Sequence, residues 1–137
     1  MKKTYWELKN DQQERFGKFP CFFAFSKDQL AEGMAKLGVT EYTDLYKAPG
    51  GMFYRKTDSQ QLKDLLHSFD DEMQEAYKDD DFLKDAIMAE MGNHEYCYTM
   101  DDDDVLCALS ITRGEVESSK RMFRIWQEAR REYLDAI

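Results

Sequence analysis

Asn93, His94, Glu95, Tyr96 and Cys97 stand in unbroken succession, and Asp101 a few residues later opens a run of four aspartates. Imidazole, carboxylate, thiol and phenol groups are concentrated here as nowhere else in the chain. A histidine beside a cysteine is the pairing of a nucleophile with its base, and imidazole with carboxylates is the start of a metal site. The spacing argues against both. Residues 94–100 read as a strand, whose successive side chains point to opposite faces. His94, Tyr96 and Tyr98 then share one face, with Glu95, Cys97 and Thr99 on the other. No catalytic residue, metal ion or cofactor is therefore assigned. Asn93, His94, Glu95, Tyr96, Cys97 and Asp101 remain the candidate functional patch, open to two readings. In one they finish secondary structure: Asn93 as a helix stop, His94 as a turn residue, Tyr96 and Cys97 as packing, Asp101 as a cap. In the other, His94, Glu95 and Cys97 serve a small enzyme, hydrolytic in character.

Other candidate sites carry weaker signals. The aspartates Asp101 to Asp104 are adjacent, whereas calcium and magnesium need oxygens converging from spaced positions. Gly50-Gly51 lacks the further glycines and the helix start of a phosphate loop. Cys21, Cys97 and Cys107 show no metal-ligand spacing and read as reduced thiols in the core. His67 falls on the solvent side of its helix.

The elements that must position these groups follow from pattern. Thr4 to Arg15 carries a modest helical stripe, and Phe19 to Phe25 reads as a short strand beyond the break at Pro20. Ser26 is placed to cap a helix over 27–37, with Gln29 at the capping-box position and Gly38 ending it. Leu45 to Lys56 forms a hairpin about Pro49-Gly50-Gly51. Ser59 caps a helix whose Leu62, Leu65, Leu66, Phe69, Met73 and Tyr77 recur at steps of three and four. Asp79 to Asp81 open another over 82–91, and Asp101 to Asp104 a short one through Leu109.

A last helix over 116–136 has an unusually broad apolar arc, so Met122, Ile125, Trp126 and Tyr133 are its candidate interface residues, with a homodimer or intramolecular packing as alternatives. The sum is an α+β fold: a small antiparallel or mixed sheet of about four short strands with five to six helices, in a single domain, 1–137.

Charge bounds the partners. Nineteen Lys and Arg against 28 Asp and Glu give a net charge of -9, which repels nucleic acid and anionic membranes and favours a basic partner. From Glu115 onward five bases (Lys120, Arg121, Arg124, Arg130, Arg131) cancel five acids (Glu115, Glu117, Glu128, Glu132, Asp135). No apolar run could span a bilayer, and the opening from Met1 through Tyr5 to Asp11 is no signal peptide, so the cytoplasm is the expected compartment. The leading expectation is a non-enzymatic interaction or regulatory protein acting through its acidic surface. Mimicry of nucleic acid by the clusters at 70–72, 79–81 and 101–104 is a sharper form of it. Direct nucleic-acid binding ranks behind both that and the enzyme, because only Lys120, Arg121 and Arg124 are clustered bases.

The combination of Phe22-Phe23-Ala24-Phe25-Ser26, Gly50-Gly51-Met52-Phe53 followed by Arg55-Lys56, Asp81-Phe82-Leu83 and Asn93-His94-Glu95-Tyr96 resembles a family of small uncharacterised proteins from gut bacteria and their mobile elements. The resemblance covers most of the chain. It implies a bacterial cytoplasmic protein and transfers no catalytic residues.

Overall fold

Ser26 accepts a hydrogen bond at its hydroxyl from the Gln29 amide, and Gly38 closes the helix between them at φ 69°, the left-handed region where a Cβ is unfavourable. In the computed structural model, which describes residues 3–137, that helix is α2 (Lys27–Leu37). It follows α1 (Tyr5–Phe16) and strand β1 (Cys21–Phe23), and precedes the hairpin of β2 (Leu45–Ala48) and β3 (Met52–Arg55). Then come helices α3 (Ser59–Ala76), α4 (Asp80–Asn93), α5 (Tyr96–Thr99), α6 (Asp102–Leu109), α7 (Arg113–Ser118) and α8 (Lys120–Asp135). Met1 and Lys2, which begin the basic opening, lie outside the described residues.

The class is α+β, with three strands among the described residues where about four were expected. The sheet is antiparallel in the order β1-β3-β2. The described residues divide into two compact units, a sheet unit of 12–69 and a helical unit of 3–11 with 70–137.

In the sheet unit the pairing of Phe22 with Phe53 puts both rings on one face, stacked at 5.4 Å between centroids. Leu30, Met34 and Leu37 of α2 cover that face. On the other face Met52 joins Phe19 and Leu62, with Phe16 and Leu65 beside them. α2 reaches its face only because residue 33 has no side chain: a Cβ on Gly33 would stand 2.1 Å from Cδ2 of Phe22.

In the helical unit α4 buries Leu83, Ala86, Ile87 and Met91. These join Tyr5, Tyr96, Val105, Leu109, Ile125 and Ala129 in one core. Its helix starts are secured locally. Asp79 accepts from the Phe82 amide, Asp101 from Asp103, Thr112 from Glu115 and Ser119 from Met122.

Four expectations are corrected. The fourth strand is absent: residues 94–100 turn through Glu95 at φ 52°, make the single helical turn α5, and leave it through Met100 at φ 51°. Tyr96 is 2% exposed and Tyr98 83%, so the two do not share the face a strand would give them. The last helix is two, because Ser119 is extended and caps α8 anew. Ser59 is not a cap: a 3-10 turn over Lys56–Asp58 leads into α3, and Ser59 already has helical dihedrals. The stripe on α3 is narrower than its spacing implies, since Leu66 is about half exposed.

Replacing Gly33 by Ala tests the close approach of α2. The Phe22 ring is buried and stacked, so overpacking should cost about 1–3 kcal/mol, against about 1 kcal/mol regained in helix propensity. A lower urea midpoint is expected for Gly33→Ala, and an unchanged or raised one would refute the contact.

Candidate functional site

The sequence TMDDDDV sets aspartates at the first turn of α6, where free amides and the helix dipole favour carboxylates. Within that run the fold separates the roles. Asp101 caps the helix, while Asp102 turns its Oδ1 to the Tyr96 hydroxyl, which donates to it at 2.6 Å. The same phenol oxygen accepts from Nε of Arg130 at 3.1 Å. Arg113 closes the group, 3.8 Å from Asp102 Oδ2 and hydrogen-bonded to Asp103 at 2.7 Å. Burial, and then the bond to Asp102, push the Tyr96 phenol up from its ordinary value. The left-handed turn at Glu95 is what rotates Tyr96 inward to make this contact.

The expected patch is thus dispersed among different partners. Asn93 is exposed at the end of α4, and His94 caps it, donating its backbone amide to Glu90. The His94 ring sends Nε2 to within 3.6 Å of the Glu90 carboxylate. Glu95 is exposed. Cys97 meets the Tyr133 phenol, which is raised by burial first and then by its hydrogen bond at Cys97. Three neighbouring residues therefore reach Glu90, Asp102 with Arg130, and Tyr133, and no common reacting atom is marked. Among the described residues no three His, Cys, Asp or Glu side chains come together as a cation site.

The candidate interface residues are occupied as well. Ile125 and Trp126 are buried in the helical unit's own core, and Met122 and Tyr133 pack against it. That packing accounts for the broad arc. Phe123, on the same apolar arc but not among those candidates, is left 48% exposed. Beside it lies a cavity of about 160 Å³ with buried Leu106, Val116 and Trp126 in its walls and Asp102, Arg113 and Glu117 at its edge. The thiols also depart from expectation: Cys107 is exposed, and Cys21 and Cys97 are half-buried.

Two residues outside the candidate patch organise the interior. Glu90 is only 4% exposed inside an otherwise apolar stretch of α4, and Tyr5 is fully buried with its phenol hydrogen-bonded to it. The Glu90 to His94 spacing of one helical turn was the available signal. Burial, and then the Glu90 charge, raise both Tyr5 and Tyr77 far above the ordinary phenol range. Tyr77 donates to the Leu109 carbonyl at 3.0 Å.

A family of unknown function (DUF7659) matches residues 4–132, and the chain belongs to it. No curated protein and no solved structure matches the chain.

The raised phenols set a direction with pH. Below about pH 10 both folded and unfolded chains keep these protons, and above it the unfolded chain releases them while the fold retains them. Stability should hold to about pH 10 and fall beyond it. Tyr5→Phe should cost about 1–3 kcal/mol near neutrality, by depriving buried Glu90 of a donor, and should flatten part of the alkaline loss. Urea midpoints over a pH series measure both. An unchanged neutral midpoint would show that the Tyr5–Glu90 bond contributes nothing.

Proposed function

We propose that this member of a family of unknown function is a non-enzymatic, cytoplasmic interaction protein that binds a basic protein partner through the acidic surface of its helical unit. The observation that carries the reading is the division of charge. Residues 12–69 hold 8 bases and 7 acids, a net +1, while the remaining residues hold 11 bases and 21 acids, a net -10. One unit thus bears the excess charge of the whole chain. Asp70, Asp71, Asp81 and Asp104 are exposed on it. A field of that sign draws in a cationic partner and repels nucleic acid and anionic lipid. No helix among the described residues is long and apolar enough to cross a membrane. His94 turns to Glu90 while Cys97 meets Tyr133, so an enzymatic alternative lacks a centre that holds both. The three thiols, unpaired and with Cys107 exposed, suit a reducing compartment.

A lysine-rich peptide of defined sequence tests the reading by fluorescence anisotropy. Binding should weaken severalfold between about 50 mM and about 300 mM salt, as screening shortens the reach of exposed charges. The combined variant Asp70→Asn, Asp71→Asn, Asp104→Asn should weaken it at low salt, with little change in stability because these side chains are exposed. Absence of binding at low salt, or binding indifferent to salt, would refute the acidic surface as the binding element.

A further inference from the structure

The cavity beside Phe123 has the dimensions of an anchor socket. Its volume of about 160 Å³ is close to that of an apolar cavity of about 150 Å³ that takes up one benzene molecule. Leu106, Val116 and Trp126 are each less than a tenth exposed, so the interior is apolar and already formed. Phe123 leaves its ring half in solvent at the edge, on a helix whose other apolar residues are committed to the core.

Hydrogen bonds tie the polar edge to its surroundings. Asp102 is held by the Tyr96 hydroxyl at 2.6 Å, and Arg113 by Asp103 at 2.7 Å. The single guanidinium of Arg113 faces three carboxylates there, Asp102, Asp103 and Glu117. An apolar, preformed recess framed by net negative charge selects for a combination of properties in its occupant.

We propose that this cavity anchors the basic partner by receiving one leucine-sized or phenyl-sized side chain from a segment whose neighbouring residues are lysine or arginine. The inference rests on the preceding reading of the helical unit and adds to it the place and chemistry of recognition. Charge brings the segment to the surface, and burial of the apolar side chain against Trp126 and Phe123 selects it. A purely cationic segment would be attracted without being held.

The chain has two tryptophans, so Trp6→Phe, a change at a half-exposed position, leaves Trp126 in the cavity wall as sole reporter. Two short probes are compared at low salt, one with a leucine between paired lysines and one with glycine in its place. The leucine peptide should bind roughly tenfold more tightly or better, given the transfer free energy of one buried aliphatic side chain, and should shift Trp126 emission. Phe123→Ala, exposed and so expected to keep the circular dichroism spectrum, should reduce leucine-peptide affinity towards that of the glycine peptide.

Equal affinities with Trp126 emission unchanged would overturn the anchor while leaving the acidic-surface reading standing. Failure of both peptides to bind would overturn the two together. Sedimentation showing self-association that Phe123→Ala abolishes would make the occupant a second copy of this chain, and would overturn the proposal of a basic partner.

Discussion

A carboxylate enclosed in an apolar helix face constrains the whole helical unit. Glu90 lies on α4 among Leu83, Ala86, Ile87 and Met91, and an unsatisfied buried carboxylate would cost several kcal/mol. The fold meets this by bringing donors to it. Tyr5 is drawn in until no part of it is exposed, and its backbone amide reaches the Asp85 carboxylate at 3.3 Å, so residues 3–11 are fastened along α4 by polar contacts as well as by packing. His94 approaches from one turn further along the helix. The groups with the most evident chemical potential are thereby committed to satisfying one another.

The segment from His94 to Asp104 repeats this logic on a smaller scale. Two left-handed residues, Glu95 and Met100, bound a single helical turn, a conformation that costs a non-glycine residue roughly 1 kcal/mol or more. What offsets the cost is the placement of Tyr96. Its ring enters the core, and its hydroxyl stands between Asp102 and Arg130, fixing the start of α6 and a position on α8 through one oxygen. The same contact engages Asp102, which stands at one edge of the cavity beside Phe123. A turn that first reads as a reacting centre is a joint whose outer side frames a recess.

Local chemistry was the legible part of the sequence. Ser26, Gln29 and Gly38 specify α2 to the residue because cap, capping partner and terminator all act within one turn of the backbone they satisfy. Asp79 and Asp101 were legible for the same reason. The hairpin followed from Pro49, Gly50 and Gly51. Strand four was misread because tyrosines two apart with a threonine beyond imitate β alternation, while the deciding contact, Tyr96 to Asp102 and Arg130, reaches 34 residues along the chain. Ser119 was overlooked because the apolar arc continues on both sides of it, although a serine with a free helical amide three residues on is itself a start signal. Glu90 and Phe123 were illegible in a stronger sense. Whether a carboxylate in an apolar stretch is buried, or an aromatic on a broad arc is left out, depends on which neighbours the fold supplies.

The structural employment of the aspartates does not remove them from the surface field. Asp80 is held by two bases, Arg121 and Arg124, and Asp103 by Arg113, and such pairing removes the field of the carboxylate at a distance. Capping is different: Asp101 accepts from the Asp103 backbone amide, a neutral donor that leaves the negative charge of the cap in place. A cap acts over one hydrogen bond, whereas the field extends to a Debye length of about 8–10 Å in ordinary salt. The same carboxylate can therefore start a helix and attract a cation. Only counting by unit, 21 acids against 10 bases in the described residues of the helical unit, says what remains after internal pairing, because every pair removes one of each. The excess of eleven negative charges belongs to the described residues of that unit, and it stands whichever acids the fold also uses to hold its helix ends.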